Sequence, residues 1–348
     1  MKNFYALLTA VLFLQTANAQ FINFPDSAFK QRLLLSSPTN AIAYNLAGYA
    51  FKIDANNDGE IQLTEALEVR DINVSFGSPA TITDLTGIAY FTNLQLLGCK
   101  GNLITELDVS ALTQLKYLDC SDNELSALNV NALTNLLQLD CSRNNIVTLS
   151  FNNIHNLEEL ILSQNSINYL DVTGSPNLKS LHVSSNQVSI LDVSMLYDLE
   201  VLYCDSNQIS VLDVENLVHL RHLGFDLNTI STINLSNLAD LESLSGSNTL
   251  LSSIDVSGLT KLGALTLNNN TITSLDLTGL DLLGYLSVWG CSLTSLDLSG
   301  LVNLSELQCP NNQLTNIDIT GCPLLAYLNC DNNQLETLFL KNGYFFAD

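Results

Sequence analysis

The sequence predicts a solenoid of stacked short repeats, with a parallel β-sheet on its concave face, short turns and 3-10 segments on its convex face, and a small helical N-terminal cap. Two observations predict this fold class. A pattern of leucines recurs every 21 residues, and within each unit inward apolar residues alternate with polar ones. One unit cannot bury its leucines alone, but units stacked about 4.8 Å apart form one continuous core.

The repeat keeps its period without insertion. In the stretch LKYLDCSDN, Leu118 and Cys120 alternate with Tyr117 and Asp119, which is the period of a β-strand with one face inward. The skeleton L-x-x-L-x-C-x-x-N-x-L-x-x-L-D-V resembles the leucine-rich repeat. The resemblance implies a leucine-rich repeat solenoid of twelve units. Their leading residues are Leu94, Leu115, Leu136, Leu157, Leu178, Leu199, Leu220, Leu241, Leu262, Leu283, Leu304 and Leu325.

An inward asparagine column is predicted at one corner of each unit. Asn123 and its equivalents fill ten of the twelve positions, and Thr249 and Cys291 fill the other two. An asparagine side chain both donates hydrogen bonds to turning backbone and accepts them from it, so it can satisfy the polar groups that a corner buries. We expect this column to be structural.

The aspartates of the LDV motif form a second column. They are Asp171, Asp192, Asp213, Asp255, Asp276, Asp297 and Asp318. A ladder of cation sites is one interpretation of these like charges. However, the same position holds Asn129, Ser150 and Asn234 in other units. That exchange favours a cap or Asx-turn over a requirement for charge.

Six of the eight cysteines share one inward position. They are Cys99, Cys120, Cys141, Cys204, Cys309 and Cys330, and other units have Leu162, Val183, Phe225, Leu267 and Val288 there. Exchange with leucine and valine predicts a packing role. Disulfides between strands are an alternative, since export and an even number of cysteines favour them, and metal binding is a second alternative. We expect Cys322, outside this position, to be the most exposed thiol.

Residues 1–19 are predicted to be a signal peptide. Lys2 precedes the apolar run FYALLTAVLFL, and ANA precedes Gln20, the pattern that a signal peptidase requires. No later stretch approaches the roughly 20 apolar residues of a membrane span. We therefore expect a secreted, extracellular or bacterial cell-surface protein without a transmembrane segment. Its predicted divisions after the signal peptide are an N-terminal cap at 20–81 and a repeat array at 82–345.

The cap contains a candidate calcium loop at 54–65, DANNDGEIQLTE. Oxygen side chains at positions 1, 3, 5 and 12, with glycine at position 6, match the EF-hand loop. The expected calcium ligands are Asp54, Asn56, Asp58, the carbonyl of Glu60 and Glu65, with Gln62 acting through water. The alternative is an Asx-rich turn that binds nothing. Since no second loop pairs with this one, we expect modest affinity, suited to extracellular calcium.

Short helices are predicted on both sides of the loop. The stretch PDSAFKQRLLL is expected to form a helix capped by Asp26, and TEALEV is expected to form another. Every solenoid must protect its open ends. We therefore expect these helices to cover the first repeat.

Charge and motifs exclude several classes of function. The chain has 35 acidic and 12 basic residues, for a net charge of −23, and such a surface repels nucleic acids and anionic lipid heads. The sequence has no HExxH, GxSxG or phosphate-loop motif, and its four histidines lack ligand spacing. We expect that the protein is not an enzyme.

The arrangement of the chain resembles the secreted leucine-rich repeat proteins of the Bacteroidota. The resemblance rests on a signal peptide, a segment with FPDSAFK and DANNDGEIQLTEAL, and 21-residue repeats with LDCSDN and LDV. It implies a binding protein, often with a C-terminal sorting domain that this chain lacks. Either Tyr344, Phe345 and Phe346 cap the last unit, or the chain is a truncated form.

The expected function is binding of a protein partner, by a monomer, through the concave sheet. Many exposed strand positions hold Ser, Thr, Asn or Gly, so aromatic residues stand out as candidate anchors. One group is Tyr285, Trp289 and Tyr327, and the other is His182, Tyr203 and His222. The alternatives are a carbohydrate-binding adhesin, with glycan as the concave ligand, and a non-binding spacer or fragment of a larger protein.

Two pairs of aspartates on adjacent units are weaker candidates for a cation site. Asp119 and Asp140 share one outward position, and Asp205 and Asp226 share another. Facing like charges destabilise a sheet unless something compensates them. The compensating group is expected to be a basic side chain of the partner or a metal ion, with Arg143 helping the first pair, and solvent screening is the alternative.

Overall fold

Each repeat contributes one short strand to a continuous sheet. The computed structural model describes residues 20–76, 81–152 and 154–340. The predicted signal peptide at 1–19 and the aromatic residues at 344–346 lie outside the described residues. No helix within the described residues is long and apolar enough to span a bilayer.

The helices are α1 (Ser27–Leu34), α2 (Leu63–Ala66) and a 3-10 helix (Ile88–Tyr90). The strands are β1 (Ala43–Asn45), β2 (Val69–Asn73), β3 (Leu96–Gly98), β4 (Tyr117–Asp119), β5 (Ala127–Asn129), β6 (Gln138–Asp140), β7 (Thr148–Ser150), β8 (Glu159–Ile161), β9 (Ser180–His182), β10 (Val201–Tyr203), β11 (His222–Gly224), β12 (Ser243–Ser245), β13 (Ala264–Thr266), β14 (Tyr285–Ser287), β15 (Glu306–Gln308), β16 (Asn316–Asp318), β17 (Tyr327–Asn329) and β18 (Thr337–Phe339).

Fourteen strands form the main sheet, in the order β1-β2-β3-β4-β6-β8-β9-β10-β11-β12-β13-β14-β15-β17. Only the β1–β2 pair of this sheet is antiparallel. Neighbouring strands follow the 21-residue period: Leu118 pairs with Leu97 on one side and Leu139 on the other. The predicted leucine-rich repeat solenoid with a parallel sheet is thus confirmed. Since β2 already pairs in parallel with β3, the sheet begins before residue 82, where the array was expected to start.

Outside the main sheet, each repeat consists mostly of turns and bends. Two short parallel sheets also form there, β5 with β7 and β16 with β18. Among the described residues, the 3-10 helix Ile88–Tyr90 is the one 3-10 element, and it belongs to the first turn. The short sheets were not predicted, because three-residue segments give no periodic signal of their own.

The core consists of columns of like side chains, one per turn. The leading leucines and the leucines three residues later are buried throughout the described array, except for partial exposure of Leu328. In one column, side chains of unequal size fit together, because a Cβ atom at Gly246 would overlap the ring of Phe225. The missing side chain in one turn therefore makes room for the large ring of the preceding turn.

The asparagine column has the structural role that was predicted for it. Nδ2 of Asn123 donates to the carbonyls of Cys99 and Cys120, at 3.1 Å each, and its Oδ1 accepts from the N–H of Ile104 at 3.1 Å. Each asparagine thereby links consecutive turns. At Cys291 the thiol takes over part of this role, since its Sγ lies 3.3 Å from a carbonyl oxygen of the preceding turn.

The LDV aspartates form Asx-turns, as the exchange with asparagine indicated. Oδ1 of Asp276 accepts from the N–H of Thr278 at 2.9 Å, and Asn234 accepts the same bond from Ser236 at 3.1 Å. The hydrogen bonds from Thr278 lower the pKa of Asp276. A neutral amide and a carboxylate therefore serve equally as turn acceptors here.

The inward cysteines pack in the core, and only the one in the last turn is partly exposed. Cys99, Cys120, Cys141, Cys204 and Cys309 are buried, and Cys330 is half-buried. All eight cysteines are unpaired in the described residues.

The expectation for Cys322 is wrong. This residue is only 3% exposed. It occupies the position of Leu301 and Leu280 in the preceding turns, which faces the core rather than the outer turn. The 21-residue register, applied to this position, would have placed its side chain inside.

Candidate calcium loop and concave binding face

The candidate calcium loop is a tight turn stabilised by its own side chains. Gly59 has φ +80° and Asn57 has φ 61°, both in the left-handed region. Asp54 is 4% exposed. Its Oδ1 accepts from the N–H of Asp58 at 3.1 Å and its Oδ2 from the N–H of Gly59 at 3.3 Å. The first expected ligand therefore organises the turn that follows it.

Glu65 closes the loop. Its Oε1 accepts from the N–H of Ala55 at 2.8 Å, and its Oε2 accepts from the N–H of Gln62 at 3.0 Å. The second bond belongs to a capping box that starts α2. Glu60, whose carbonyl is an expected ligand, uses its side chain for an ion pair with Lys30 at 2.7 Å.

The remaining polar side chains bond to one another. Oδ2 of Asp58 accepts from Nδ2 of Asn56 at 2.9 Å and from Nε2 of Gln62 at 2.7 Å. Nζ of Lys52 lies 3.5 Å from Asp54. Within the described part of the chain, no three His, Cys, Asp or Glu side chains converge in the geometry of a metal site. The oxygen donors suit calcium in kind and position, but a cation would need Asp58 to exchange its amide partners.

The loop pairs with the segment that directly follows the predicted cleavage point. The carbonyl of Ile61 accepts from the N–H of Ile22 at 2.9 Å, and Phe21 forms an antiparallel bridge with Gln62. Ile61 itself is buried. The segment after the predicted cleavage point thus satisfies backbone groups that a partner loop would otherwise satisfy.

The Tyr203 group, His182, Tyr203 and His222, lies on three consecutive strands of the concave face. The rings of His182 and Tyr203 are in contact, with centroids 5.1 Å apart and planes at 50°. Ser180 Oγ lies 2.9 Å from Nε2 of His182. A Cβ at Gly224 would lie 2.7 Å from Cδ1 of Tyr203, so the tyrosine ring covers this glycine. The structure therefore holds this aromatic pair in place from both sides.

His182 is uncharged in this setting. Burial lowers its pKa, against the opposing influence of the carboxylates of Glu159, Asp140 and Asp205. An imidazole with a pKa below its usual value of about 6.5 is neutral at pH 7. The contact with Tyr203 is thus between two neutral rings.

The Trp289 group, Tyr285, Trp289 and Tyr327, is more widely spread. Tyr285 and Tyr327 share a column, but Glu306 pairs with both and lies between them. Their separation is therefore two strand spacings, or roughly 10 Å. Tyr285 and Trp289 are half-buried, and Tyr327 is exposed. Tyr285 and Tyr327 therefore lie on either side of Glu306. Trp289 follows the end of β14 by two residues.

A ladder of side chains supports the backbone next to Trp289. Asp205 accepts from the N–H of Asp226 at 2.9 Å, and Asp226 accepts from the N–H of Ser247 at 2.6 Å. Oγ of Ser247 accepts from the N–H of Asn268 at 3.1 Å, and Oδ1 of Asn268 accepts from the N–H of Trp289 at 3.0 Å. Each side chain satisfies the N–H of the same position one turn later. Burial raises the pKa of Asp226.

The first aspartate pair is compensated locally rather than by Arg143. Asp119 accepts from the N–H and hydroxyl of Ser121 at 3.1 and 2.6 Å. Arg143 is 2.7 Å from Asp122 and forms its ion pair there, which corrects the expected partner. Asp119 and Asp140 were expected to need a cation, but each accepts hydrogen bonds from the N–H and hydroxyl of a nearby serine instead.

A pocket of about 280 Å³ on the concave face was missed at the sequence level. Its lining includes Asn73, Gly98, Tyr117, Asp119 and Asp140. A Cβ atom at Gly98 would lie 3.1 Å from Oδ1 of Asn73, so the glycine makes room for this side chain. Tyr117 is 41% exposed. The sequence did contain a signal for this pocket. Tyr117 occupies the same repeat position as Tyr285 and Tyr327 of the Trp289 group.

Comparison with known proteins identifies the fold. The chain matches no family model and no curated protein. The functional domain of InlJ from Listeria monocytogenes, described as including a cysteine ladder, is 29% identical, with a TM-score of 0.73 over 91% of this chain and 72% of that one. An L. monocytogenes internalin, InlF, is 22% identical, with a TM-score of 0.70 over 94% and 93%.

A leucine-rich repeat protein of Leptospira interrogans is also similar, at 22% identity and a TM-score of 0.68 over 80% of this chain and 86% of that one. None of these three proteins is described as an enzyme. The chain therefore has the leucine-rich repeat fold that these bacterial proteins share.

Proposed function

We propose that the protein is a secreted or cell-surface leucine-rich repeat protein that binds calcium and recognises a protein partner through its concave face. The observation that carries the proposal is the pair of aromatic groups on that face. Many other outward strand positions hold Ser, Thr, Asn or Gly, which contribute little to binding. Tryptophan and tyrosine are enriched among the few interface residues that contribute about 2 kcal/mol or more each.

The arrangement of the two groups supports a protein ligand. The Tyr203 group offers a fixed pair of rings, because Tyr203 is held between His182 and the surface of Gly224. The Trp289 group alternates tyrosine with Glu306. A partner that covers both groups would present apolar side chains to the rings and a basic side chain to the carboxylate.

Calcium has a structural role in this proposal. Glu65 connects the two ends of the candidate loop, and Ile61 connects it to the start of the mature chain. A cation held by Asp54, Asn56, Asp58, the carbonyl of Glu60 and Glu65 would supply positive charge to this acidic turn. The expected effect is stabilisation of the cap.

The concave surface is tested with the purified mature protein on protein and glycan arrays, followed by affinity measurements on each ligand found. Tyr285→Ser with Trp289→Ser should weaken protein binding at least tenfold without changing the fold. Tyr197→Ser is the matched control, since this tyrosine is 51% exposed but outside the main sheet. Unchanged affinity in the double variant, or binding to glycans alone, would refute a protein site at this position.

A further inference from the structure

Three neighbouring turns carry an exposed apolar stripe outside the main sheet. The lateral stripe consists of Tyr169, Ile190 and Val211, which are 71%, 74% and 75% exposed. The residues are 21 positions apart, so they occupy the same position of consecutive turns. In the other turns this position holds Glu106, Ala127, Thr148, Thr232, Ser253, Ser274, Ser295, Asn316 and Thr337. The stripe is therefore a local departure from a polar or small-residue column.

A column of carboxylates runs beside the lateral stripe. Asp171, Asp192 and Asp213 follow the three apolar residues by two positions, with a buried leucine between the members of each pair. In extended chain this spacing places both side chains on the same outward side, about 7 Å apart. Oδ1 of each aspartate accepts an Asx-turn bond, which leaves Oδ2 available to a partner.

The two columns line a common surface depression. Ile190, Val211, Asp192 and Asp213 all line one cavity of about 490 Å³. Hydrogen bonds from Thr173 lower the pKa of Asp171, and those from Ser194 lower that of Asp192. These two carboxylates are thus ionised at neutral pH. This side of the molecule presents apolar and anionic surface next to each other.

We propose that the lateral stripe and its carboxylate column dock a cationic amphipathic α-helix of a protein partner. Charge complementarity favours a basic partner, because its positive side chains would be attracted to the carboxylates while its apolar side chains cover the stripe. The geometry agrees, since one helical turn advances 5.4 Å and one repeat about 4.8 Å. Apolar residues on successive turns of such a helix would meet Tyr169, Ile190 and Val211, and lysine or arginine on its flank would meet the carboxylates.

A second copy of this chain is disfavoured as the occupant. The chain carries a net charge of −23, and two copies in contact at this acidic side would repel each other. The site is also distinct from the concave face, so the proposed function and this inference can fail independently.

The probe is a synthetic leucine–lysine peptide of about fourteen residues, long enough for roughly four helical turns, and calorimetry measures its affinity for the mature protein. The salt concentration should be physiological, where the Debye length is about 8 Å, to suppress long-range attraction. We expect one peptide to bind per chain. A leucine–glutamate peptide of the same pattern should not bind.

The apolar contribution is tested with Tyr169→Thr, Ile190→Thr and Val211→Thr combined. Threonine is the natural residue in the flanking turns, at Thr148 and Thr232, so the fold should be retained. We expect at least tenfold weaker binding of the leucine–lysine peptide. Unchanged affinity in a folded triple variant would overturn the proposal.

The contribution of charge is tested with Asp171→Asn, Asp192→Asn and Asp213→Asn combined. Asparagine makes the same Asx-turn at Asn129 and Asn234, so only charge is removed. Affinity should again fall at least tenfold.

The matched control combines Asp255→Asn, Asp276→Asn and Asp297→Asn, which removes three charges from the same column away from the stripe. This control should bind the peptide as the natural protein does. Equal losses in both charge variants would show non-specific attraction and overturn the proposal. Sedimentation that shows a dimer abolished by the threonine variant would also overturn it, in favour of a second copy.

Discussion

Asp26 and Thr83, 57 positions apart, are joined by two hydrogen bonds to a single oxygen. Oδ2 of Asp26 accepts from the N–H of Thr83 at 2.7 Å and from its hydroxyl at 2.9 Å. Oδ1 of the same carboxylate caps α1 through the N–H groups of Ala28 and Phe29 at 2.7 and 3.0 Å. One side chain therefore connects the cap helix to the first turn of the solenoid.

Replacement of Asp26 by alanine should loosen the cap. The change removes a helix N-cap, which typically contributes about 1 kcal/mol, and the bonds of one carboxylate oxygen to Thr83, which together contribute about 1.5–3 kcal/mol. We expect a loss of about 2–4 kcal/mol in a denaturant titration, with faster hydrogen exchange in α1. Asp84→Ala is the control, since Asp84 accepts only local bonds from Thr86. Native-like exchange in Asp26→Ala would contradict this role.

Calcium should raise the unfolding temperature of the mature protein above that measured with a chelator. At one hundred times its dissociation constant, a ligand of the folded state stabilises it by about 2.7 kcal/mol. Glu65→Gln should remove most of this difference, because the amide still accepts a hydrogen bond but cannot bind the cation with two anionic oxygens.

Glu68→Gln is the matched control for calcium, since it removes one exposed negative charge outside the loop. Its response to calcium should equal that of the natural protein. Identical melting in calcium and chelator would identify the loop as an Asx-rich turn without a cation.

The repeat made most of the fold predictable. Residues 21 apart must play the same part, so Leu118 predicts the placement of Leu97 and Leu139 and fixes the register of the sheet. The same reasoning places Cys322 in the core, at the repeat position of Leu280 and Leu301. The residues next to Cys322 in its turn had instead suggested an exposed side chain. Periodicity is a global constraint, and it outweighs local composition.

The candidate site was less predictable, because binding depends on departures from the repeat. The contact of His182 with Tyr203 needs the space above Gly224, and a glycine in a variable position gives no signal by itself. Arg143 could reach several carboxylates, and it pairs with Asp122, which occupies the equivalent left-handed position of the preceding turn, at φ 53° against 55°. Side-chain direction decides such contacts, and a repeat consensus does not contain it.

The inward cysteines should be reduced and inert in the native protein. Burial raises the pKa of Cys309 to about 12 and raises that of Cys120 well above its usual value. A thiol with such a pKa has little thiolate at pH 8, so alkylation of the native protein should modify the half-buried Cys330 first. Mass spectrometry after denaturation without a reductant should find eight alkylated cysteines. A mass that indicates three or four disulfides would instead support bridges between turns.

Acid should destabilise the solenoid through the Asx-turn column. Hydrogen bonds from the residue two positions later lower the pKa of seven of its carboxyl groups: Asp108, Asp171, Asp192, Asp255, Asp276, Asp297 and Asp318. A pKa that is lower in the folded state contributes stability above the unfolded value of about 3.9, and this contribution is lost as pH falls through the folded value. The loss should therefore occur below about pH 4.

The test compares melting temperatures between pH 7 and pH 2.5 for the natural protein and for Asp276→Asn with Asp297→Asn. The amide keeps the turn acceptor but does not titrate, so the double variant should lose less stability in acid than the natural protein does. Asp281→Asn removes an exposed charge outside the column and should follow the natural profile. If the double variant and the natural protein lost equal stability in acid, these turns would not be the origin of the acid sensitivity.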